Sequence, residues 1–264
     1  MTQPSDRWRD GAAYEAFIGR WSRVVAAEFV PWLGLGPGLD WVDVGCGTGV
    51  LTRAILGLAA PRSVTGVDPS VPFLEAARRT TADERASFVE GAGGSLPLEA
   101  GSADAVVAGL VLNFVPDPVA ALADMRRVVR PDGTVAAYVW DYAGEMQLMI
   151  SFWAAAVSVD PAAEAIAEGQ RFPIARREAL VAAVSAAGLR DAEVTGITIP
   201  TVFRDFDDYW VPFTGATGPA PAYVASLPTD RREALRAALD RTLPRAADGT
   251  IPLHARAWAV RGRR

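Results

Sequence analysis

The chain has 264 residues, half of them hydrophobic, and a formal net charge of −5 at pH 7. That length suits one large domain or a core with an added cap. The acidic balance, without clustered cations, excludes nucleic acid as the main partner, because phosphate binding needs such clusters.

The first eleven residues are polar, so no signal peptide is expected. All 26 residues of the Lys and Arg total are Arg, which reads as the codon usage of a high-GC bacterial genome. Over residues 7–33, Tyr14, Phe17, Ile18, Trp21, Val24, Val25 and Phe29 recur at spacings of three and four, which predicts one or two helices packed by that face. Residues 34–38 are a turn. A strand over 39–44 then runs into Gly45, Gly47 and Gly49, and an apolar helix follows over 50–58. Glycine is used where the backbone needs positive φ or where a ligand approaches with no Cβ in the way. A strand, a tight glycine bend and a helix start form the nucleotide crevice of a doubly wound sheet. Cys46 lies inside that bend and reads as a small filler. As the single cysteine it allows no disulfide within the chain, which suits a reducing cytoplasm.

A second strand over 64–68 ends in Asp68 and Pro69, and a helix follows over 71–80. Strands over 86–90 and 104–112, a helix over 118–130 and a strand over 134–140 complete an alternating pattern that argues for a parallel sheet. After Trp140 the pattern changes. Residues 141–171 read as helical and 174–187 as an amphipathic helix. Residues 192–199 and 251–261 read as a sixth and a seventh strand, an antiparallel edge. Between them, 203–244 is an insertion rich in aromatic residues, Gly and Pro, including Phe206, Tyr209, Trp210, Phe213 and Tyr223. Those rings form either the small core of a lid or the wall of an apolar pocket. No run approaches the roughly 18 apolar residues of a membrane span.

The glycine spacing is G-x-G-x-G, with Val50 where a dinucleotide fingerprint has its third glycine. With Asp43 before it and Asp68 at the next strand end, the run Asp43-Val-Gly-Cys-Gly-Thr-Gly49 resembles motif I of the class I S-adenosylmethionine-dependent methyltransferases. The phrase Arg130-Pro-Asp-Gly133 before an apolar strand is similar to that family's scaffolding, and residues 14–23 resemble the opening helix of its small-molecule members. The resemblance covers residues 10–140. It implies an α/β fold with a doubly wound, seven-stranded, mostly parallel Rossmann-like sheet and an antiparallel last strand. It implies an N-terminal helical lid (1–37), a cofactor-binding core (38–140) and a C-terminal part (141–264) with cap insertions at about 141–172 and 203–245.

The cofactor implied is S-adenosylmethionine. Asp43, Gly45 and Gly47 would form its cradle, Asp68 and Pro69 the ribose site, and Ala92 and Gly93 the adenine site, with Leu110 beside it. Tyr14 and Arg20 of the opening helix would close over it, by cation–π attraction and by pairing with the methionine carboxylate. Two positions depart from the family. Ala92 stands where an acid usually contacts the adenine amino group, so backbone groups near Ala92 and Gly93 would hold the base. Asn113 stands where many relatives have His; it can orient a substrate but is no general base. Asp68 could also cap the helix after it, and Asn113 could equally cap its loop.

The substrate implied is a small, apolar or aromatic metabolite, methylated at O, N or C beside Asn113, Phe114, Trp140, Trp210 and Phe213. Methyl transfer needs a base only for a poorly acidic acceptor, and Asp141, Tyr142 and Tyr14 are the candidates. With one Cys and one His, His254 on the last strand, no N/S zinc site is available, and no metal is expected. Two alternatives stay open: a protein that binds S-adenosylmethionine for a regulatory or non-methylating purpose, and an NAD(P)-dependent oxidoreductase. The expected setting is cytoplasmic, with no membrane partner, as a monomer or a homodimer.

Overall fold

The computed structural model describes residues 18–215 and 218–264. In chain order these form α1 (Arg20–Trp32), β1 (Asp40–Val44), α2 (Val50–Leu58), β2 (Ser63–Asp68), α3 (Val71–Thr80), β3 (Ala86–Glu90) and β4 (Ala103–Gly109). Then come α4 (Pro118–Val128), β5 (Val129–Trp140), α5 (Gln147–Val159), the short α6 (Glu168–Arg171), α7 (Arg177–Ala186) and β6 (Arg190–Phe203). Last are α8 (Phe206–Gly215), α9 (Pro219–Ser226), α10 (Thr229–Thr242) and β7 (Ile251–Arg263). The described strands make one seven-stranded sheet in the order β3-β2-β1-β4-β5-β7-β6. β1 to β5 pair in parallel and β7 runs antiparallel to β5. This is the doubly wound sheet that the alternating pattern predicts, with the order reversing between β1 and β4.

The chain divides into two compact units. The sheet unit comprises Ser22–Trp140, Ile174–Ile197 and Ala257–Arg264. Its central strands are buried on both faces: Val106, Val107, Ala108, Ala137 and Val139 have no exposed surface, as parallel strands covered by helices require. Ile55 of α2, Leu74 of α3 and Leu122 and Met125 of α4 supply the helical side of that core. The Phe29 ring of α1 lies 4.7 Å from that of Tyr138 on β5. α4 starts where Asp117 accepts a hydrogen bond from the Ala120 N–H at 2.9 Å, with Pro118 in the first turn.

The helical unit comprises 18–21 of the segment before Ser22, with Asp141–Pro173 and Thr198–Arg256. Its core is aromatic. Phe152 of α5 stacks on Phe213 of α8 with centroids 4.4 Å apart, and Trp153 and Tyr223 meet at 5.6 Å. The Tyr209 hydroxyl donates to the Leu148 carbonyl at 2.8 Å, which keeps a fully buried polar atom paired.

The structure corrects several boundaries. Residues 141–171 are not one helix. The Asp141 carbonyl accepts from Glu145 and Met146, and its side chain accepts from Gly144, so 141–146 is a turn before α5. Pro161 then ends α5 and opens a 3₁₀ turn, Pro161–Ile166. β4 stops at Gly109, short of Leu112, because Leu110 turns to φ 61°. β6 is longer than residues 192–199, and the helix expected over 174–187 is α7 alone. Of the N-terminal helical stretch, residues 1–17 lie outside the described residues.

Phe152 has no exposed surface, so Phe152→Ala removes a whole ring from the helical core. The expected cost is about 3–5 kcal/mol, read by urea unfolding. A loss below about 1 kcal/mol, the range of ordinary surface changes, would show that the stack does not hold the unit together.

Candidate active site

β1 delivers the chain into the bend at residues 45–49, where Gly45, Gly47 and Gly49 all take positive φ: 68°, 53° and 84°. L side chains avoid that region. The bend is fixed to β2: the N–H groups of Gly45 and Cys46 both donate to the Val67 carbonyl, at 2.7 and 3.1 Å. The Asp68 carboxylate completes the join. One oxygen accepts from the Gly47 N–H at 2.9 Å and the other from the Ser70 N–H at 2.8 Å. Ser70, not Asp68, is the N-cap of α3.

The three glycines are used differently. A Cβ on Gly45 would overlap the Val111 side chain, and one on Gly49 would press on Arg53 and Thr81 at 3.1 and 3.3 Å. A Cβ on Gly47 would meet nothing within 4 Å. The first and third glycines let the protein pack on itself, while the middle one opens a space beside the bend.

Two buried acids face different company. Asp68 is 7% exposed, and burial pushes its carboxyl up against the two N–H groups that favour its charge. Asp43 is 1% exposed. One of its oxygens accepts from the Thr52 hydroxyl at 2.7 Å, and the other is buried without a hydrogen-bond partner among the described residues. Burial, reinforced by the Asp68 charge, pushes Asp43 up to about 7 against the Thr52 bonds. Burial and the same two carboxylates push the Cys46 thiol far above its ordinary range, so it is an inert filler and not a reactive thiolate.

Leu110 follows β4 at φ 61°, a strained position for a bulky residue. Its N–H donates to the Tyr138 carbonyl at 2.8 Å. Gly109 lets the Tyr138 hydroxyl approach, since a Cβ there would stand 2.6 Å from it. The turn after it, closed by the Phe114 N–H on the Val111 carbonyl at 2.8 Å, carries Asn113, whose Nδ2 is buried without an acceptor among the described residues. Phe114 is 37% exposed. Trp140, at the end of β5, is buried and its Nε1 has no acceptor among the described residues. Ala92 accepts from the Ser95 N–H at 3.1 Å, and Gly93 packs near Val44, Val115 and Ala121. Asp124 and Arg127 hold the stretch that follows, through Leu96 and Leu98.

The sheet unit therefore holds Asp43, Gly45, Gly47, Asp68, Pro69, Ala92, Gly93, Leu110, Asn113, Phe114 and Trp140. The helical unit holds the others. There the Arg20 guanidinium sits over the Trp21 and Phe203 rings at 4.5 and 4.6 Å and donates to Asp208 at 2.9 Å. Asp141 is bound by Arg256 at 2.6 Å and by Gly144 at 2.9 Å. Tyr142 packs on Phe172, Trp210 on Phe206, and Phe213 on Phe152. His254 lies 3.4 Å from Glu145. Tyr14 lies outside the described residues. Thr52 and Ser70, which complete the two acids, carried no signal in the sequence. Among the described residues no group of three or more His, Cys, Asp or Glu could hold a metal ion, and no helix is long and apolar enough to cross a membrane.

Asp43 gives a pH prediction. Its folded carboxyl titrates above the unfolded one, so its contribution to stability is complete below about pH 4 and is lost as pH rises through about 7. The stability of the natural protein minus that of Asp43→Asn should fall over that window in thermal or urea unfolding. A flat difference would mean that Asp43 is ionised throughout.

Comparison with known proteins agrees with this geometry. A family model described as a methyltransferase domain matches residues 42–137. The demethylmenaquinone methyltransferase of Staphylococcus aureus (strain JH9) is 40% identical over 105 residues, 39% of this chain and 44% of that enzyme, so the match spans less than half of the relative. Among solved structures, the YcgJ protein of Bacillus subtilis superposes with a TM-score of 0.60 at 16% identity, covering 93% of this chain and 98% of that one. A Haemonchus contortus phosphoethanolamine N-methyltransferase 2, in complex with phosphomonomethylethanolamine and S-adenosylhomocysteine, gives 0.59 at 16% identity, covering 95% and 56%. These structural likenesses carry the fold alone. The sequence match over the glycine bend and the strands around it, with the seven-stranded fold, supports a class I methyltransferase domain over residues 42–137, of the kind whose cofactor is S-adenosylmethionine.

Proposed function

We propose that the protein transfers a methyl group from S-adenosylmethionine to an O, N or C atom of a small, apolar or aromatic metabolite. The observation that carries this reading is the bend at residues 45–49, sealed to β2 by Asp68 and open to space at Gly47. When bound, the cofactor supplies a methyl group on a sulfonium, whose leaving group is neutral. Asp68 has lone pairs left after accepting two N–H groups, enough to accept the ribose hydroxyls. Gly47 keeps side-chain bulk away from them. Gly93 and the Ala92 backbone hold the adenine, and Leu110 fixes the end of β4 beside it. Tyr14 and Arg20 remain candidates for the cofactor's methionine end.

The substrate end is assigned to Asn113, Phe114 and Trp140, with Trp210 and Phe213 as further candidates. The buried donors of Asn113 and Trp140 suit a substrate oxygen, and the relative named for demethylmenaquinone supports an apolar ring. Both Asp141 oxygens are engaged, so the chain's contribution is positioning, which can supply about 7–11 kcal/mol without a base. The alternative is a protein that binds the cofactor and methylates nothing, and the absent acid at Ala92 keeps it open.

The test compares two glycines by calorimetry with S-adenosylmethionine and S-adenosylhomocysteine. Each Gly→Ala change carries about 1–2 kcal/mol of left-handed backbone strain. Gly45→Ala adds about 1–3 kcal/mol of overpacking against Val111. Gly47→Ala should stay folded yet lose binding at least tenfold, and Asp68→Ala should abolish it. Binding unchanged in Gly47→Ala, or no heat from either ligand in the natural protein, would overturn the assignment. Transfer of a labelled methyl group to small aromatic acceptors separates an enzyme from a mere binder.

A further inference from the structure

The sheet unit contains a group that positioning alone does not explain. Asp43 is a carboxylate in the interior, held by Thr52 through its hydroxyl and its backbone N–H, with its second oxygen unpaired among the described residues. A buried charge is costly unless it is paired and hydrogen-bonded. Among the described residues no cation contacts it. Its strand partners are Gly66 on β2 and Val107 on β4, which bring no charge. From α2 it meets the Thr52 hydroxyl at 2.7 Å and feels Arg53, whose guanidinium is engaged by the Thr48 carbonyl at 2.8 Å and the Thr80 hydroxyl at 2.9 Å. From β2 it feels the Asp68 carboxylate, a second negative charge that works against its own. Cys46, in the bend, stays a neutral thiol.

We propose that Asp43 distinguishes the sulfonium cofactor from its thioether product by charge, holding a proton when the site contains no cation and releasing it to solvent when one is bound. This rests on the reading that the bend holds S-adenosylmethionine. Asp43 stands two residues before Gly45, about 7 Å along the strand, so its charge lies in the field of whatever the bend holds. S-adenosylmethionine carries a sulfonium, an ammonium and a carboxylate, a net charge of +1. Its demethylated product has lost the sulfonium charge and is neutral overall. An added cation favours the ionised carboxyl, which the interior otherwise disfavours. The O–H bond of the Asp43 carboxyl breaks, the proton goes to bulk water, and the carboxylate balances the sulfonium. Once the methyl group has left, the carboxylate has lost its counter-charge, takes a proton back and weakens the hold on the product. Since Asp43 titrates near pH 7 without ligand, the exchange falls in the physiological range.

The experiment is isothermal titration calorimetry at one pH in two buffers of different ionisation enthalpy, phosphate and Tris, which counts protons released on binding. Three ligands are compared on the whole chain: S-adenosylmethionine, S-adenosylhomocysteine, and sinefungin, which keeps a positive charge where the sulfonium was. Near pH 6.5 the first and third should each release most of one proton, and S-adenosylhomocysteine close to none. The ratio of the two dissociation constants, product over cofactor, should rise about fivefold between pH 6 and pH 7 and level off by about pH 8, as linkage to one proton requires. In Asp43→Asn the release should vanish and the ratio lose its pH dependence. Should that variant fail to fold, the three ligands on the natural protein still decide. Equal proton release by cofactor and product, or an unchanged count in Asp43→Asn, would overturn the proposal while leaving cofactor binding intact. Binding of none of the three would remove the methyltransferase reading itself.

Discussion

The Asp68 carboxylate is the joint on which the site depends. It ties the Gly47 N–H, in the bend after β1, to the Ser70 N–H, at the head of α3. Without an acceptor there, two backbone donors would stand unpaired at the rim of the core. The bend would also lose a contact that holds its middle glycine at a positive φ. The Val67 carbonyl, which takes both Gly45 and Cys46, supplies the rest of the join. The donors on that side of the bend are therefore spent within the protein. What the bend offers outward is shape, a stretch of backbone with no side chain over it, and a carboxylate with lone pairs to spare.

The sheet has two unlike ends, and that polarity places the site. At the amino ends of β1 and β4, Asp40 and Asp104 share Arg62 and Arg130 in an ion-pair network, and the Asp40 N–H donates to Asp104 at 2.8 Å. The Arg62 and Arg130 guanidiniums beside them hold the Asp40 carboxyl far below the usual carboxylate range. The cations are solvent-exposed, so the network acts mainly as a clamp on strand register. At the carboxyl ends stand the bend, Leu110 and Trp140, with unpaired or strained groups instead of closed ones. Because β1 and β4 are neighbours on either side of the order reversal, their exit loops diverge and leave a crevice. One end of the sheet is finished by its own charges; the other is left for a ligand to finish.

Much of this was legible in the sequence, for physical reasons that differ by element. The parallel core could be read because strands buried on both faces are continuous apolar runs, and because helices alternate with them. The glycine bend could be read because glycine takes the φ values of Gly45 and Gly49 without strain. What escaped reading depends on contacts far apart in the chain or on backbone choice at one residue. Arg20 finds Asp208, 188 positions away, and no local pattern announces that pair. Thr52 looks like any helix residue until it meets Asp43. Leu110 ends β4 by turning left-handed inside an apolar run that has every mark of a longer strand. Asp141 begins a stretch of helix-forming residues, yet its own carbonyl and carboxylate gather the next N–H groups into a turn.

One of the two acids of the bend sets this crevice apart from one built for a dinucleotide. A dinucleotide brings a pyrophosphate with two negative charges to the helix N-terminus that follows the glycines. An acid at the end of the second strand, as at Asp68, is shared with such sites, where it takes a ribose hydroxyl, whereas Asp43, buried below the bend, disfavours a further anion. A ligand with vicinal hydroxyls and a positive charge meets the opposite situation. The hydroxyls can donate to Asp68, which has two backbone donors and room for more. The cation would offset Asp43, which is held by Thr52 and keeps one oxygen unpaired among the described residues. The spacing of the glycines, with Val50 in place of a third, counts against a dinucleotide by shape, and the buried Asp43 favours a cationic ligand by charge.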